Sequence, residues 1–274
     1  MVRHWKPYGV IVIVFVSLVA LALPGSGQAE QQEITGKDGA PMMLVPAGDF
    51  TMGSNEGADE QPVHRVSLDT YYMDKYEVTV GQYAKFLDAK FLEATSPEVP
   101  KPETPPYWDI MNASLSRKRP VAYVDWTGAD SYCRWAGKRL PTEAEWEKAA
   151  RGTDGRIYPW GNEPPTELLA NFGKKDWSNH KATVPAGLLE DGKSPYGIYD
   201  LAGNVWEWVS DRYDKDYYRN GPSKNPKGPE RGEDKVVRGG SWNSPLEHLR
   251  SAIRFGYTPA FSRDILGFRC AKTP

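Results

Sequence analysis

From Tyr158 to Arg269 the chain never settles into a sustained hydrophobic period. Turns, isolated tryptophans and short strand candidates alternate, as in "VVRGGSWNSPLEHLRSAIRFGY" from Val236 to Tyr257. Chain without an apolar period cannot build long helices; it folds as turns and short strands around large side chains. The 26 Gly and 23 Pro supply that punctuation, and the 10 Trp supply the large apolar areas a loop-rich core needs. A helical bundle is excluded. Charge nearly cancels, with 34 Lys and Arg against 36 Asp and Glu, so no cationic footprint for nucleic acid stands out.

Regular signals lie before Gly152. "PMMLVPAGDFTMGS" reads as two short strands joined by a Pro-Ala-Gly turn, and "HRVSLDTYYMDKYEVT" continues in alternation with Val66 and Leu68 on one face. Thr79 is placed as the N-cap of an amphipathic helix reaching about Lys90 through Tyr83, Phe86 and Leu87. A proline-crowded surface loop follows from Leu92 to Arg119. Two further helices are expected, over Gly128 to Ala136 and from a Thr142–Glu145 capping box to about Gly152. No repeat or composition break divides the chain, so one α+β domain is expected over 39–274, preceded by a flexible stretch at 30–38.

Residues 1–29 read as a secretory signal peptide. Arg3, His4 and Lys6 precede an apolar run from Val10 to Leu23, and small residues lead to a cleavage point after Ala29. The rival is an uncleaved anchor, for which the run is short. No second hydrophobic segment follows, so the mature chain is expected to be exported, periplasmic or extracellular, without a membrane span. In such an oxidising compartment Cys133 and Cys270, the only cysteines, read as a disulfide rather than reactive thiols.

Ser241 and Ser244 raise the question of a nucleophile. "GGSWN" lacks the second glycine of a nucleophile elbow, and His64, His180 and His248 are scattered. The competing reading is that Gly239 and Gly240 allow close packing while Trp242 fills the core. No transition-metal motif is present, and "DRYDKDYYRNG" fails the calcium-loop register because Tyr218 and Arg219 fall where a ligand and a glycine belong. "YDLAGNVWEW" is a better oxygen-donor segment, with Asp200 and Glu207 as carboxylates and Gly203 and Val205 as carbonyl donors. A tight turn closed by Trp206 and Trp208 accounts for it equally well.

In order, "MLVPAGDFTMGS", "YEVTVGQYAKFL", "RPVAYVDWTGADSYCRWAGKRLPTEAEWEKAARG", "YPWGN", "GIYDLAGNVWEW", "VVRGGSW" and "LGFRCA" resemble the formylglycine-generating enzyme, or sulfatase-modifying factor, family. The resemblance covers nearly everything after residue 39. It implies a compact fold related to C-type lectins with much irregular structure. Family members oxidise a cysteine of a client sulfatase using two nearby cysteines that bind copper. Here Ser244 stands about where the first would be and the second has no counterpart, so copper is not expected. Serine is no substitute, because its hydroxyl stays protonated without a base.

The resemblance further implies a Cys133–Cys270 disulfide and a structural calcium on Asp200, Gly203, Val205 and Glu207, with Asp200 replacing the usual Asn. A second calcium would use Asn171, Phe172 and Asp176, with Asn179 as the alternative to Asp176. Two functions stay open. One is an exported binding or maturation factor, without cysteine-oxidase activity, for a protein, peptide or small ligand. The other is an oxidoreductase-type maturation enzyme, in sulfatase activation or siderophore maturation, or an enzyme of different chemistry with Ser244, His248 and Arg254 around a substrate in the cleft.

Overall fold

The computed structural model describes residues 1–2, 33–93, 103–112, 116–177 and 180–274. The expected signal peptide apart from its first two residues, residues 94–102 and 113–115 of the proline-rich loop, and Asn179 lie outside the described residues. One compact unit runs from Gln31 to Pro274. Among the described residues no helix is long and apolar enough to cross a membrane.

Ten strands are described: β1 (Glu33–Thr35), β2 (Pro41–Val45), β3 (Gly48–Met52), β4 (His64–Leu68), β5 (Tyr71–Asp74), β6 (Trp206–Arg212), β7 (Lys235–Arg238), β8 (Arg254–Tyr257), β9 (Leu266–Phe268) and β10 (Ala271–Lys272). They form three small sheets, ordered β1-β2-β5-β10, β3-β4 and β8-β7-β6-β9. The first sheet is antiparallel and joins the two ends of the unit, because β10 pairs with β5. In the third, β9 runs parallel to β6. The strands on either side of the Pro-Ala-Gly turn both form, but they belong to different sheets. Val66 and Leu68 are buried as their alternation requires. The stretch expected to be flexible at 30–38 is ordered in its described part. β1 pairs with β2, and the Asp38 carboxylate, 5% exposed, accepts from Tyr132 and Lys138.

The helices are α1 (Val80–Glu93), α2 (Trp108–Met111), α3 (Trp126–Trp135), α4 (Glu143–Arg151) and α5 (Tyr217–Asn220). α4 begins as its capping box dictates: Thr142 Oγ1 accepts from Glu145 N and the Glu145 carboxylate accepts from Thr142 N. Its setting is less expected. All nine residues of "EAEWEKAAR" are buried, so each charge needs a partner. Glu143 meets Arg254, Glu145 meets Arg139, Glu147 meets Arg151 and Arg238, and Lys148 donates to the carbonyls of Pro46 and Gly48. One core packs Tyr83, Phe86, Tyr132, Trp208 and Phe268 between α1, α3 and the third sheet; another packs Phe50, Tyr71, Trp146 and Val236 around α4. Cys133 and Cys270 form a disulfide across 137 residues, tying α3 to the segment between β9 and β10.

Candidate functional site

The glycine pair ends β7 with a backbone only glycine takes easily, φ 95° at Gly239 and 79° at Gly240. A Cβ on Gly240 would sit 2.8 Å from the His248 carbonyl. The turn beyond is closed internally. Ser244 Oγ accepts from Ser241 N at 2.9 Å, Ser244 N donates to Ser241 O, and the two hydroxyls lie 3.2 Å apart. Ser244 O in turn accepts from Gly173 N. Ser244 is 3% exposed, and the contacts that hold its hydroxyl are those of a turn residue.

The other two cleft candidates have different surroundings. His248 lies against Trp206 and Phe255, with ring centroids 6.1 and 5.1 Å away, and burial lowers its pKa. Arg254 is 2% exposed and committed to Glu143 and to the carbonyls of Asp59 and Asp214. It belongs to the packing around α4 rather than to an open cleft, because its fork finds a carboxylate brought there by the buried helix.

The Tyr199–Trp208 turn gathers the expected oxygen donors and adds some the sequence reading missed. Asp200 and Asn204 hold left-handed backbone, φ 58° and 64°. Gly203 lies so close to Asn171 that a Cβ would sit 2.4 Å from its carbonyl oxygen, so the two candidate calcium segments touch. Asn171 Nδ2 donates to Ala182 O and Asn204 Oδ1. Asn204 Nδ2 and Val205 N both donate to Glu77. Glu207 is not open: Arg269 binds both its oxygens at 2.7 Å and Trp146 Nε1 donates at 2.8 Å. Asp200 Oδ2 accepts from Gly187 N. Phe172 packs its ring against the Tyr158, Ala170, Ala202 and Leu249 cluster, and Asp176 is exposed.

Three buried carboxylates, Glu77, Asp200 and Glu207, therefore influence one another, with Arg269 as the cation among them. Burial, reinforced by Asp200 and Glu207, pushes Glu77 well above the usual carboxylate range, and burial pushes Asp200 up to about 6. Among the described residues no three of His, Cys, Asp or Glu converge as a metal-holding group, so a cation there would need amide and carbonyl oxygens beside any carboxylate. Glu77 and Arg269 carry no local sequence signal. Asn204 does, since Gly-Asn at a turn invites left-handed backbone.

Short regular elements around buried arginine–glutamate pairs, a glycine-closed turn and a disulfide from α3 to the segment between β9 and β10 define the chain's class. It belongs to the sulfatase-modifying factor family: residues 27–274 match the sulfatase-modifying factor enzyme 1-like domain. It is 36% identical to the formylglycine-generating enzyme of Mus musculus over 279 residues, covering 84% of this chain and 74% of that one. It is 38% identical over 250 residues to the serine/threonine-protein kinase pkn1 of Chlamydia pneumoniae, spanning 84% of this chain but only 38% of that protein's length. Among solved structures it is similar to PvdO from Pseudomonas aeruginosa, at TM-score 0.71 and 26% identity, over 90% of this chain and 99% of that one.

Proposed function

We propose that this chain is an exported sulfatase-modifying-factor protein that does not oxidise cysteine and acts as a binding or maturation factor for a protein, peptide or small ligand. The observation that carries the reading is the fate of its thiols. The chain has two cysteines and both are spent in one buried disulfide. About where the family's first cysteine would stand, Ser244 supplies a hydroxyl tied into a turn. A hydroxyl is a hard, protonated donor and does not replace a thiolate pair at a soft metal. The test is oxygen consumption by the copper-treated protein with a cysteine-containing peptide. No turnover above a protein-free control is expected; turnover would reject the reading.

Calcium on the Asp200 turn is part of the same proposal. Its support is the excess of buried negative charge over Arg269, together with the hard oxygen donors around it. Asp200 would be the anchor, with Gly203 and Val205 offering carbonyls. Glu207, already bridged to Arg269, would contribute with what acceptor capacity remains. Calcium there would hold the turn, with no role assigned in chemistry.

A further inference from the structure

Three rings from three separate segments, one of them the proline-rich loop, face one another. The Tyr107 and Tyr123 ring centroids are 5.0 Å apart, and each is 5.4 Å from that of Trp177. Tyr107 is 55% exposed, so the cluster reaches the surface. A cavity of about 510 Å³ adjoins it, lined by Tyr123, Pro105, Pro106, Tyr83 and Phe86 among others.

Strain concentrates here. Six non-glycine residues among those described have positive φ, and three belong to this cluster: Tyr107 at 59°, Tyr123 at 58° and His180 at 72°. A bulky residue in that region costs on the order of 1 kcal/mol or more, and such residues cluster at ligand sites. Aromatic packing alone does not require it.

Orphaned polar atoms concentrate at the same place. Seven buried side-chain polar atoms among the described residues have no hydrogen-bond partner. Tyr218 Oη, Arg238 Nε and Ser251 Oγ belong to the arginine network around α4. The other four, Asn112 Oδ1, Arg119 Nη1, Trp177 Nε1 and His180 Nδ1, lie on the segments that carry the rings. His180 is fully buried, its ring 6.0 Å from that of Trp177, and its Nε2 donates to Pro120 O at 2.9 Å. The neutral ring then offers Nδ1 as an acceptor. Arg119 and Trp177 offer donors. Lys174 Nζ donates to Ala182 O beside the same segments. Each unsatisfied buried group costs about 1–3 kcal/mol, so four together point to an occupant.

We propose that Tyr107, Tyr123, Trp177, Arg119 and His180 form a binding site for a carboxylate with an N–H on the neighbouring carbon. A free amino acid and the C-terminal residue of a peptide share that chemistry. Arg119 Nη1 and Trp177 Nε1 donate to the carboxylate, His180 Nδ1 accepts the N–H, and an apolar or aromatic side chain rests on the tyrosines. The site gives a ligand class to the binding role proposed above and rests on that reading.

The test titrates the whole exported protein with phenylalanine, N-acetylphenylalanine and the amides of both, by calorimetry and tryptophan fluorescence. Amidation is expected to weaken binding roughly tenfold or more, as loss of a charge-assisted pair does. Arg119→Gln should bring the same loss for the acids while leaving the amides' affinity unchanged and the melting temperature no lower. Tighter binding of the acetylated acid identifies a peptide C-terminus, and tighter binding of the free acid identifies an amino acid. If Arg119→Gln does not fold, Trp177→Phe keeps the ring, removes the donor and decides by the same comparison. Equal affinity for acids and amides, no effect of either variant, or no binding by any probe would overturn the proposal; the last result would leave the orphans to water. Oxygen turnover on a cysteine peptide would reject the non-oxidase reading without touching the acid–amide comparison, so the two failures are distinguishable.

Discussion

Arg254 forks onto Glu143, with Nε 2.7 Å from Oε1 and Nη2 2.8 Å from Oε2. Its Nη1 donates to the carbonyls of Asp59 and Asp214, and the guanidinium lies 4.4 Å from the Tyr218 ring centroid and 4.9 Å from that of Tyr213. Glu143 opens α4, so this bridge fixes the start of the buried helix to β8. Burial would raise the Glu143 carboxyl, but Arg254 and then Arg238 outweigh it and hold it below the usual range.

Arg254→Ala is expected to leave the buried Glu143 with only the longer Arg238 contact at 3.5 Å and to cost about 3–5 kcal/mol, read as a lower urea midpoint. Replacing Glu143 with Leu as well should recover part of the loss, since no buried charge is then left alone. An alanine variant as stable as wild type would show that the bridge contributes nothing.

Ser244→Ala removes the acceptor for the buried Ser241 N–H. The expected loss is about 1–2 kcal/mol of stability, with ligand affinity per folded molecule unchanged. A fully stable Ser244→Ala protein that no longer binds or acts would make Ser244 part of a reactive centre instead.

Asp211 gives a pH signature. Burial, then repulsion from Glu143, raises its carboxyl from the ordinary 3.8 to about 7. The folded state therefore holds this proton at pH values where the unfolded chain has released it. Its contribution is fully present below about pH 4 and is lost as pH rises towards 7. Melting temperature against pH should fall more between pH 5 and 7.5 in wild type than in Asp211→Asn. Parallel curves would remove Asp211 as the cause. His180, lowered to about 4 by burial, acts in the opposite direction in both proteins and cancels in the comparison.

Melting with calcium and with chelator should differ in wild type and converge in Asp200→Ala. Glu207→Ala should melt lower under both conditions, because it strands Arg269 whether or not a cation is present. Identical wild-type melting in both buffers would end the calcium proposal.

Thiol titration of the denatured, unreduced protein should find no free cysteine. Replacing both cysteines with serine should cost about 2–5 kcal/mol. Two titratable thiols would contradict the Cys133–Cys270 bond.

Features that depend on near neighbours were legible in the chain. Thr142 and Glu145 mark the start of α4, Thr79 precedes α1, and the alternation around Val66 and Leu68 marks β4. The aperiodic stretch after Tyr158 announced short strands and turns, and the motif order announced the family. These are local matters, set by side chains reaching their own backbone and by apolar residues facing one side.

Burial of charge was decided elsewhere. The capping box announces the helix "EAEWEKAAR" but not its burial, and only the fold brings Arg238 to Glu147 across 91 residues and Arg254 to Glu143 across 111. Glu207 reads along the chain as a calcium ligand, and only the fold shows that Arg269, 62 residues on, binds both its oxygens. Arg254 read as a cleft residue until α4 supplied its carboxylate. The three-ring cluster is likewise invisible along the chain, because Tyr107, Tyr123 and Trp177 share no motif. An ionisable side chain acquires its role from whichever opposite charge loses water beside it, and that partner is chosen by tertiary packing at long separation.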